Sequence, residues 1–426
     1  MVKIVLVGAG SSVFGYKNVL DAANISTLKG SELMLHDINV TRLETMTGLA
    51  EKINEATSAG LEINHSIDQD EALRDADYVL VSIEVDRMKR WRQDWEIPFK
   101  HGIKQVIGEN GGPGGVFHAW RNIPPILEIA FTMEEVCPDA WLLNYTNPVP
   151  RLCLAINRYT NIKTVGLCHE VEHQLQRLAP LMGIPTALLD VVSAGLNHFS
   201  WYKELRLKDG TDAYPMLDVA LKNTKGFQPL CKAMYRQFGL YPSTDDNHIG
   251  EYLAYSWELT PDEFRGLNWI KRCNEEGQRN WEQINMLIEG KEPLDVEGKL
   301  SGERAMHIIA GMMSNSNHIE LQVNLPNNGQ VSNLIKDAIV ETPAIINKGG
   351  IYPIQVGELP EGLAALCNIQ IMVQNLVVEA GVSGKIEKAK QALLVDPVVN
   401  DQQKALQVFD ELMKLHGDLL PQFEYI

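Results

Sequence analysis

The chain has 426 residues, 45% of them hydrophobic, with 38 Lys and Arg against 55 Asp and Glu, a formal net charge of −17. This acidity, without a clustered basic face, argues against nucleic acid as a partner and against a surface held on anionic lipid. No run of 18 uncharged apolar residues predicts a membrane span, and the N-terminus begins on a strand pattern instead of a signal peptide, which points to the cytoplasm.

In chain order, residues 2–7 read as a strand buried on both faces, 32–36 as a second, and 39–57 as an amphipathic helix. Residues 77–83, 140–143 and 164–167 add three more strands. Strands alternating with helices predict a Rossmann-like, doubly wound parallel sheet over residues 1–190. Residues 189–207 read as paired strands. From 215 onward helices dominate, including 362–380 and 383–394. This predicts a second, mixed but mainly helical α+β domain over 191–426, in a lactate/malate dehydrogenase-like architecture. No Gly/Ser or Pro-rich linker separates the two, so they must pack intimately. Six scattered cysteines without a Cys-x-x-Cys pair imply reduced thiols.

Gly8-Ala9-Gly10-Ser11 follows the first strand. One glycine allows a tight turn there, and the other lets backbone approach a pyrophosphate at a helix N-terminus. Val13 stands where the dinucleotide fingerprint has Gly or Ala. Asp37 ends the second strand, where a carboxylate accepts ribose hydroxyls and repels a 2′-phosphate, favouring NAD over NADP. Asp37 lies further on than the usual spacing of about 20 residues, so the intervening helix is expected to be a little long. A second glycine-rich stretch, Gly108-Glu109-Asn110-Gly111-Gly112-Pro113-Gly114-Gly115, reads as a loop, being too glycine-dense for a helix. Cys168-His169-Glu170-Val171 and Asn144-Tyr145-Thr146-Asn147-Pro148 follow strand ends, where parallel sheets line their ligand crevice. Gly195-Leu196-Asn197-His198 ends a β segment. Each of these, taken singly, has a plain structural reading: a buried Cys, a satisfied His, an Asn-Pro turn.

Taken together they resemble the NAD- and divalent-metal-dependent glycosidases of glycoside hydrolase family 4. The resemblance runs over nearly the whole chain. It also takes in 97–102, His248-Ile249-Gly250-Glu251-Tyr252-Leu253, Ser301-Gly302-Glu303, 324–329 and 394–397. It implies hydride removal from sugar C3, loss of the acidified C2 proton, elimination of the glycosidic oxygen, addition of water and return of the hydride, with NAD and Mn²⁺ as cofactors. It carries the metal ligands onto Cys168 and His198 and the C2 base onto Tyr252, with Tyr255 second. A Tyr base needs a nearby cation to ionise near neutral pH. His169 or Glu170 would serve the leaving group, and Asn147 would contact sugar hydroxyls. Cys-His-Glu-Val resembles the subgroup that cleaves α-galacturonides. A uronate needs a local cation, for which Arg87, Lys89, Arg90, Arg92, Arg121 and Arg304 are candidates. Arg87 and Arg90, with Glu109 and Asn147, are the expected substrate contacts. The family's habit implies a homodimer or homotetramer. The alternatives are an α-glucuronidase, α-galactosidase or α-glucosidase of the same family, a metal-free NAD-dependent 2-hydroxy-acid dehydrogenase, or a non-enzymatic NAD or sugar sensor.

Overall fold

The apolar run near the N-terminus forms β1 (Lys3–Val7), buried from Ile4 onward. In the computed structural model, which describes residues 1–423, five parallel strands join it: β2 (Glu32–His36), β3 (Glu62–Ser66), β4 (Tyr78–Val81), β5 (Trp141–Asn144) and β6 (Lys163–Gly166). Their order is β3-β2-β1-β4-β5-β6, the doubly wound arrangement whose crevice opens at the strands' carboxyl ends. The residues of β1 alternate between two cores. Val5 and Val7 face the helices Gly112–Val136, Val149–Tyr159, Glu361–Ser383 and Gln402–His416. Ile4 and Leu6 face Phe14–Asn24, Val40–Thr57 and Ala305–Ser314. β3 was not expected. Its sequence, Glu-Ile-Asn-His-Ser, lies at the sheet edge and is largely exposed, so it lacks the apolar run of a central strand.

The same sheet continues past β6 through β9 (His318–Pro326), β10 (Ile339–Asn347), β7 (Leu189–Leu196) and β8 (Phe199–Leu207), with β11 (Gly350–Pro353) on β10. The junction is one antiparallel pair, Gly166 with Asn324. The expected β7–β8 pairing is present. Helices dominate beyond 215, as expected, and β9, β10 and β11 lie among them. β9 alternates regularly, but its polar members Glu320, Gln322 and Asn324 are buried while Ile319 is 58% exposed. Such a strand turns polar groups inward, towards a site.

Two local expectations also change. Helix Phe14–Asn24 is short, 11 residues, and the extra spacing to Asp37 is taken up by a 3₁₀ turn, Ser26–Leu28. The second glycine stretch is only partly loop, since a 25-residue helix starts at Gly112 and includes Pro113, Gly114 and Gly115. Pro113 suits the first turn. The glycines are there for close approach: a Cβ on Gly114 would lie 2.5 Å from the Gly108 carbonyl oxygen. Helix Glu361–Ser383 is long and apolar enough to cross a membrane, with a mean hydropathy of 1.4. It is packed as a core helix, burying Leu363, Cys367, Ile371, Val373, Val377 and Val378.

Candidate active site

The turn after β1 is built for close backbone approach. Gly8 has φ +81°, and a Cβ there would lie 2.4 Å from the Ser82 carbonyl oxygen at the end of β4. The amides of Gly8 and Ala9 both donate to the His36 carbonyl. A Cβ on Gly10 would lie 2.7 Å from Asp37 Oδ2, which accepts the Gly10 amide at 2.8 Å. Ser11 Oγ accepts the Phe14 amide and caps the following helix. The closely packed third glycine of the fingerprint is Gly15, not position 13: a Cβ on it would lie 2.1 Å from the Ala9 carbonyl oxygen. The chain thus presents an amide-lined turn, a helix N-terminus and a carboxylate, a donor set that fits a dinucleotide.

Beside it, Asn144 closes the turn at the end of β5 with hydrogen bonds to both the amide and the carbonyl of Thr146. Asn147 precedes a cis proline. Its Oδ1 is buried without a hydrogen-bond partner among the described residues, as expected of a group reserved for a ligand. Tyr145 stacks on Phe14 at 4.6 Å, joining this turn to the dinucleotide helix.

Cys168 follows β6, and its Sγ accepts the Glu170 amide at 3.4 Å. His198 sits between β7 and β8 in the left-handed region, φ 59°. Its Nδ1 lies 3.2 Å from Asn110 Nδ2, and its ring centroid lies 4.1 Å from that of His248, the two planes tilted by 40°. Cys168 reaches the same region through the side chain of Asn197, which donates to Glu341 at 2.9 Å. Burial, aided by Glu341 and Glu170, pushes the Cys168 thiol up. Burial, with His248 beside it, holds His198 well below its ordinary value and so neutral, as a ligand must be. Ligand atoms of Glu170, Asp245 and His248 also lie within 4.8 Å of one another. His248 is the opposite case: burial would lower it, but Glu251, Glu170 and Asp245 outweigh this and raise it to about 9, so it would have to release a proton to bind a metal. With that release, one thiol and two imidazoles offer a donor set for a divalent transition metal. Glu251, although close, is a clamp: its Oε2 accepts the amides of Glu109, Asn110 and Gly111 at 2.6, 2.7 and 3.3 Å. It thereby fixes the second glycine turn.

Glu170 is buried but compensated. Burial alone would raise its carboxyl, yet His173, His248 and Arg177 hold it well below the usual range. Arg177 lies 3.1 Å from Glu170 and 3.3 Å from Asp245. His169 turns Nδ1 towards Glu303 at 3.4 Å. Tyr252 is 4% exposed, and its hydroxyl donates to the Asn197 carbonyl at 3.4 Å. Burial and Glu251 push its phenol well up, while Arg151 acts in the opposite direction. Tyr255, the second choice, is 52% exposed. Arg87 enters the site region through Glu109 at 2.5 Å and Glu84 at 2.8 Å. Arg90 does not. Its guanidinium is held by Asp86, the Leu415 carbonyl and Asp418, facing the C-terminal segment. Arg121 is paired with Asp94, Arg304 with Glu320, Arg92 with Glu96 and Lys89 with Asp86.

Sequence reasoning did not assign roles to His248, Arg177, Glu303 or Gly15. Arg177, seven residues after Glu170, was on the same helix face by spacing.

A family model described as "Family 4 glycosyl hydrolase" matches residues 3–184, and one for the C-terminal domain of that family matches 193–399. The chain belongs to glycosyl hydrolase family 4. Relatives of this family 4 member include an α-glucosidase of Erwinia rhapontici, 35% identical over 96% of this chain and 97% of the relative. An α-galactosidase of Bacillus subtilis is 35% identical over the full length of both. An α-galacturonidase of Thermoanaerobacterium saccharolyticum is 27% identical over 97% and 95%. Among solved structures, a putative glucosidase of Bacillus subtilis superimposes with a TM-score of 0.88 at 26% identity, covering 97% of this chain and 99% of that one. A 6-phospho-β-glucosidase of Thermotoga maritima, holding manganese, NAD⁺ and glucose-6-phosphate, gives 0.84 at 22% identity over 98% and 99%, a likeness of fold. Malate dehydrogenase from Plasmodium falciparum shares the architecture more distantly, TM-score 0.53 at 12% identity over 92% and 100%.

Proposed function

We propose that this glycosidase hydrolyses α-galacturonides by NAD-dependent oxidation at C3, elimination, hydration and re-reduction. The observation that carries the reading is the segment Cys168-His169-Glu170-Val171 at the carboxyl end of β6, with Glu170 compensated by Arg177 and His173. Arg177, 3.1 Å from Glu170, offsets the repulsion that a second carboxylate would otherwise exert on a uronate. Gly8, Ala9, Gly10, Ser11 and Asp37 would hold NAD. Cys168 and His198, with His248, would hold Mn²⁺ or another divalent ion. The two bound groups supply reversible hydride acceptance at C3 and polarisation of the C2 and C3 oxygens.

The chain's own residues handle protons and position. Tyr252 takes the C2 proton on its phenolic oxygen, and Arg151 is the protein cation that favours the ionised form. His169 gives a proton to the departing glycosidic oxygen. Asn147 and Glu109 orient sugar hydroxyls, and Arg87, half held by Glu84 and Glu109, is the candidate contact to the uronate. Arg90 is not placed for this role. The enzyme works as a cytoplasmic homo-oligomer in this reading.

A second reading, a neutral α-hexoside, is favoured by one observation: Arg87, Arg177, Arg304 and Lys17 are each already paired with a carboxylate. The two are separated by hydrolysis of p-nitrophenyl α-galacturonide against the α-galactoside and α-glucoside, with NAD⁺, Mn²⁺ and a reductant present. Preference for the galacturonide supports the proposal, and preference for a neutral sugar selects the second reading. No hydrolysis of any of them overturns both.

A further inference from the structure

The segment Ser301-Gly302-Glu303 has no role in the chemistry above, yet it is anchored with unusual care. The Ser301 amide donates to Asp21 Oδ1 at 2.7 Å, and its hydroxyl donates to Asp21 Oδ2 at 2.5 Å. The same hydroxyl accepts the Glu303 amide at 3.0 Å. Two residues on, the Ala305 amide donates to Tyr145 at 3.0 Å. Asp21 lies on the helix that follows the dinucleotide turn, and Tyr145 stacks on Phe14 at the start of that helix. These bonds present one side chain, Glu303, at a fixed place.

Glu303 is 2% exposed. Its Oε1 lies 2.9 Å from Lys17 Nζ, again on the dinucleotide helix, and 3.4 Å from His169 Nδ1. Its Oε2 lies 3.5 Å from the same nitrogen. Lys17 keeps a third of its side chain in solvent and needs no buried counter-charge for its own sake. Burying a carboxylate is expensive unless its partners use it. The imidazole is the partner that gains: with Nδ1 facing a carboxylate, Nε2 is left as the nitrogen that can face a ligand. Histidines that act through one nitrogen are routinely oriented through the other. Burial would raise the Glu303 carboxyl, but His169 and Lys17 outweigh it and bring it down to about 2, so the group is an ionised acceptor.

We propose that Glu303 is the positioning residue of His169, accepting its Nδ1–H so that Nε2 is aimed at the glycosidic oxygen, and that Lys17 ties this aim to the helix that receives the dinucleotide. This rests on the reading of His169 as the leaving-group acid. In the step it serves, the C1–O bond breaks and its electron pair leaves with the glycosidic oxygen. That oxygen takes the proton from Nε2 of the His169 imidazolium, leaving a neutral ring whose remaining proton is on Nδ1 towards Glu303, as the C2 electron pair forms the C1–C2 double bond. The preceding oxidation at C3 is by NAD⁺.

The test has two readouts. The first is turnover of a series of α-glycosides of the accepted sugar, from p-nitrophenyl to methyl. Glu303→Met is expected to lose about 10- to 100-fold in kcat on the methyl glycoside, which needs an acid, but only a few-fold on p-nitrophenyl. KM and NAD affinity should hold, and Glu303→Gln, which keeps an acceptor oxygen, should recover most of the loss. The second readout is nitrogen NMR of histidine-labelled protein without substrate, with His169→Gln assigning the signal. Once the ring is titrated to its neutral form, His169 is expected as the Nδ1–H tautomer in the wild type and in Glu303→Gln, and as a tautomer mixture in Glu303→Met. His169→Gln separates the two ideas. If it shows the leaving-group dependence and Glu303→Met does not, the positioning role is overturned while the acid stands. If His169→Gln is slowed equally on every leaving group, the acid assignment itself is wrong, and the positioning role goes with it.

Discussion

The dinucleotide turn and the proposed sugar–metal centre are assembled in different ways. The first comes from one short stretch of chain: Gly8, Gly10, Ser11, Gly15 and Asp37 belong to a single β-turn-α-β unit. The second, as proposed, draws on Cys168, His198 and His248, residues on segments brought near one another as one sheet continues from β6 into β9, β10 and β7. Local units place backbone atoms well, since a turn and a helix terminus define them. Long-range assembly is what brings a thiol, imidazoles and compensated carboxylates together, because no single element can display them at once. Damage to one region should therefore leave the other's ligand in place.

The largest expected effect is at the centre. Cys168→Ser should abolish metal-dependent turnover, by about 10³-fold or more, if the metal supplies several kcal/mol. Calorimetric NAD binding should survive, and retained activity would remove Cys168 as a ligand. Next is Gly10→Val, whose Cβ meets Asp37 Oδ2 at 2.7 Å. NAD affinity should fall by about 100-fold, equivalent to roughly 3 kcal/mol, while Mn²⁺ binding measured separately is retained. Glu251→Gln tests the clamp on the second glycine turn. Loss of charge-assisted bonds to three backbone amides should destabilise the fold by about 1.5–3 kcal/mol in denaturant unfolding and weaken sugar binding through the loosened Glu109 turn.

Comparable in size, but visible only as a pH dependence of stability, is the contribution of Glu84, three residues after β4. Burial pushes its carboxyl up, but His118 and Arg87 outweigh this and bring it from 4.5 to about 2. A depressed carboxylate contributes stability above its unfolded value and loses it as pH falls through the folded one. The contribution, about 3 kcal/mol, should thus disappear between pH 4.5 and about 2. Thermal melts of Glu84→Gln should show a shallower decline over that window than the wild type.

The same contrast explains what could be read from the sequence. β1, β2, β4, β5 and β6 were visible as apolar runs, and the first glycine turn as a spacing. β3 escaped because an exposed edge strand carries no apolar run. β9 escaped because its buried face is polar, and β10 because Pro343 stands where the ladder is irregular. The glycines at 112, 114 and 115 looked like loop because their reason, close contact with Gln105, Gly108 and Asn110, appears only once that turn folds back against the helix start. For the proposed site, Cys168, His198, Tyr252 and Asn147 were named from motifs that carry the family resemblance. His248, Arg177 and Glu303 gained meaning only when folding set them beside those groups, and Arg90 lost its expected place for the same reason.

The central claim is that one chain couples a dinucleotide turn to a metal centre for redox-assisted elimination. It is tested most directly by p-nitrophenyl α-galacturonide hydrolysis in deuterated water, with and without NAD⁺ and Mn²⁺, followed by mass analysis of the released sugar. The account predicts hydrolysis that requires both additions, no accumulation of NADH, and one deuterium at C2. Hydrolysis that ignores NAD⁺, a product without deuterium at C2, or net NADH formation without sugar release would contradict it.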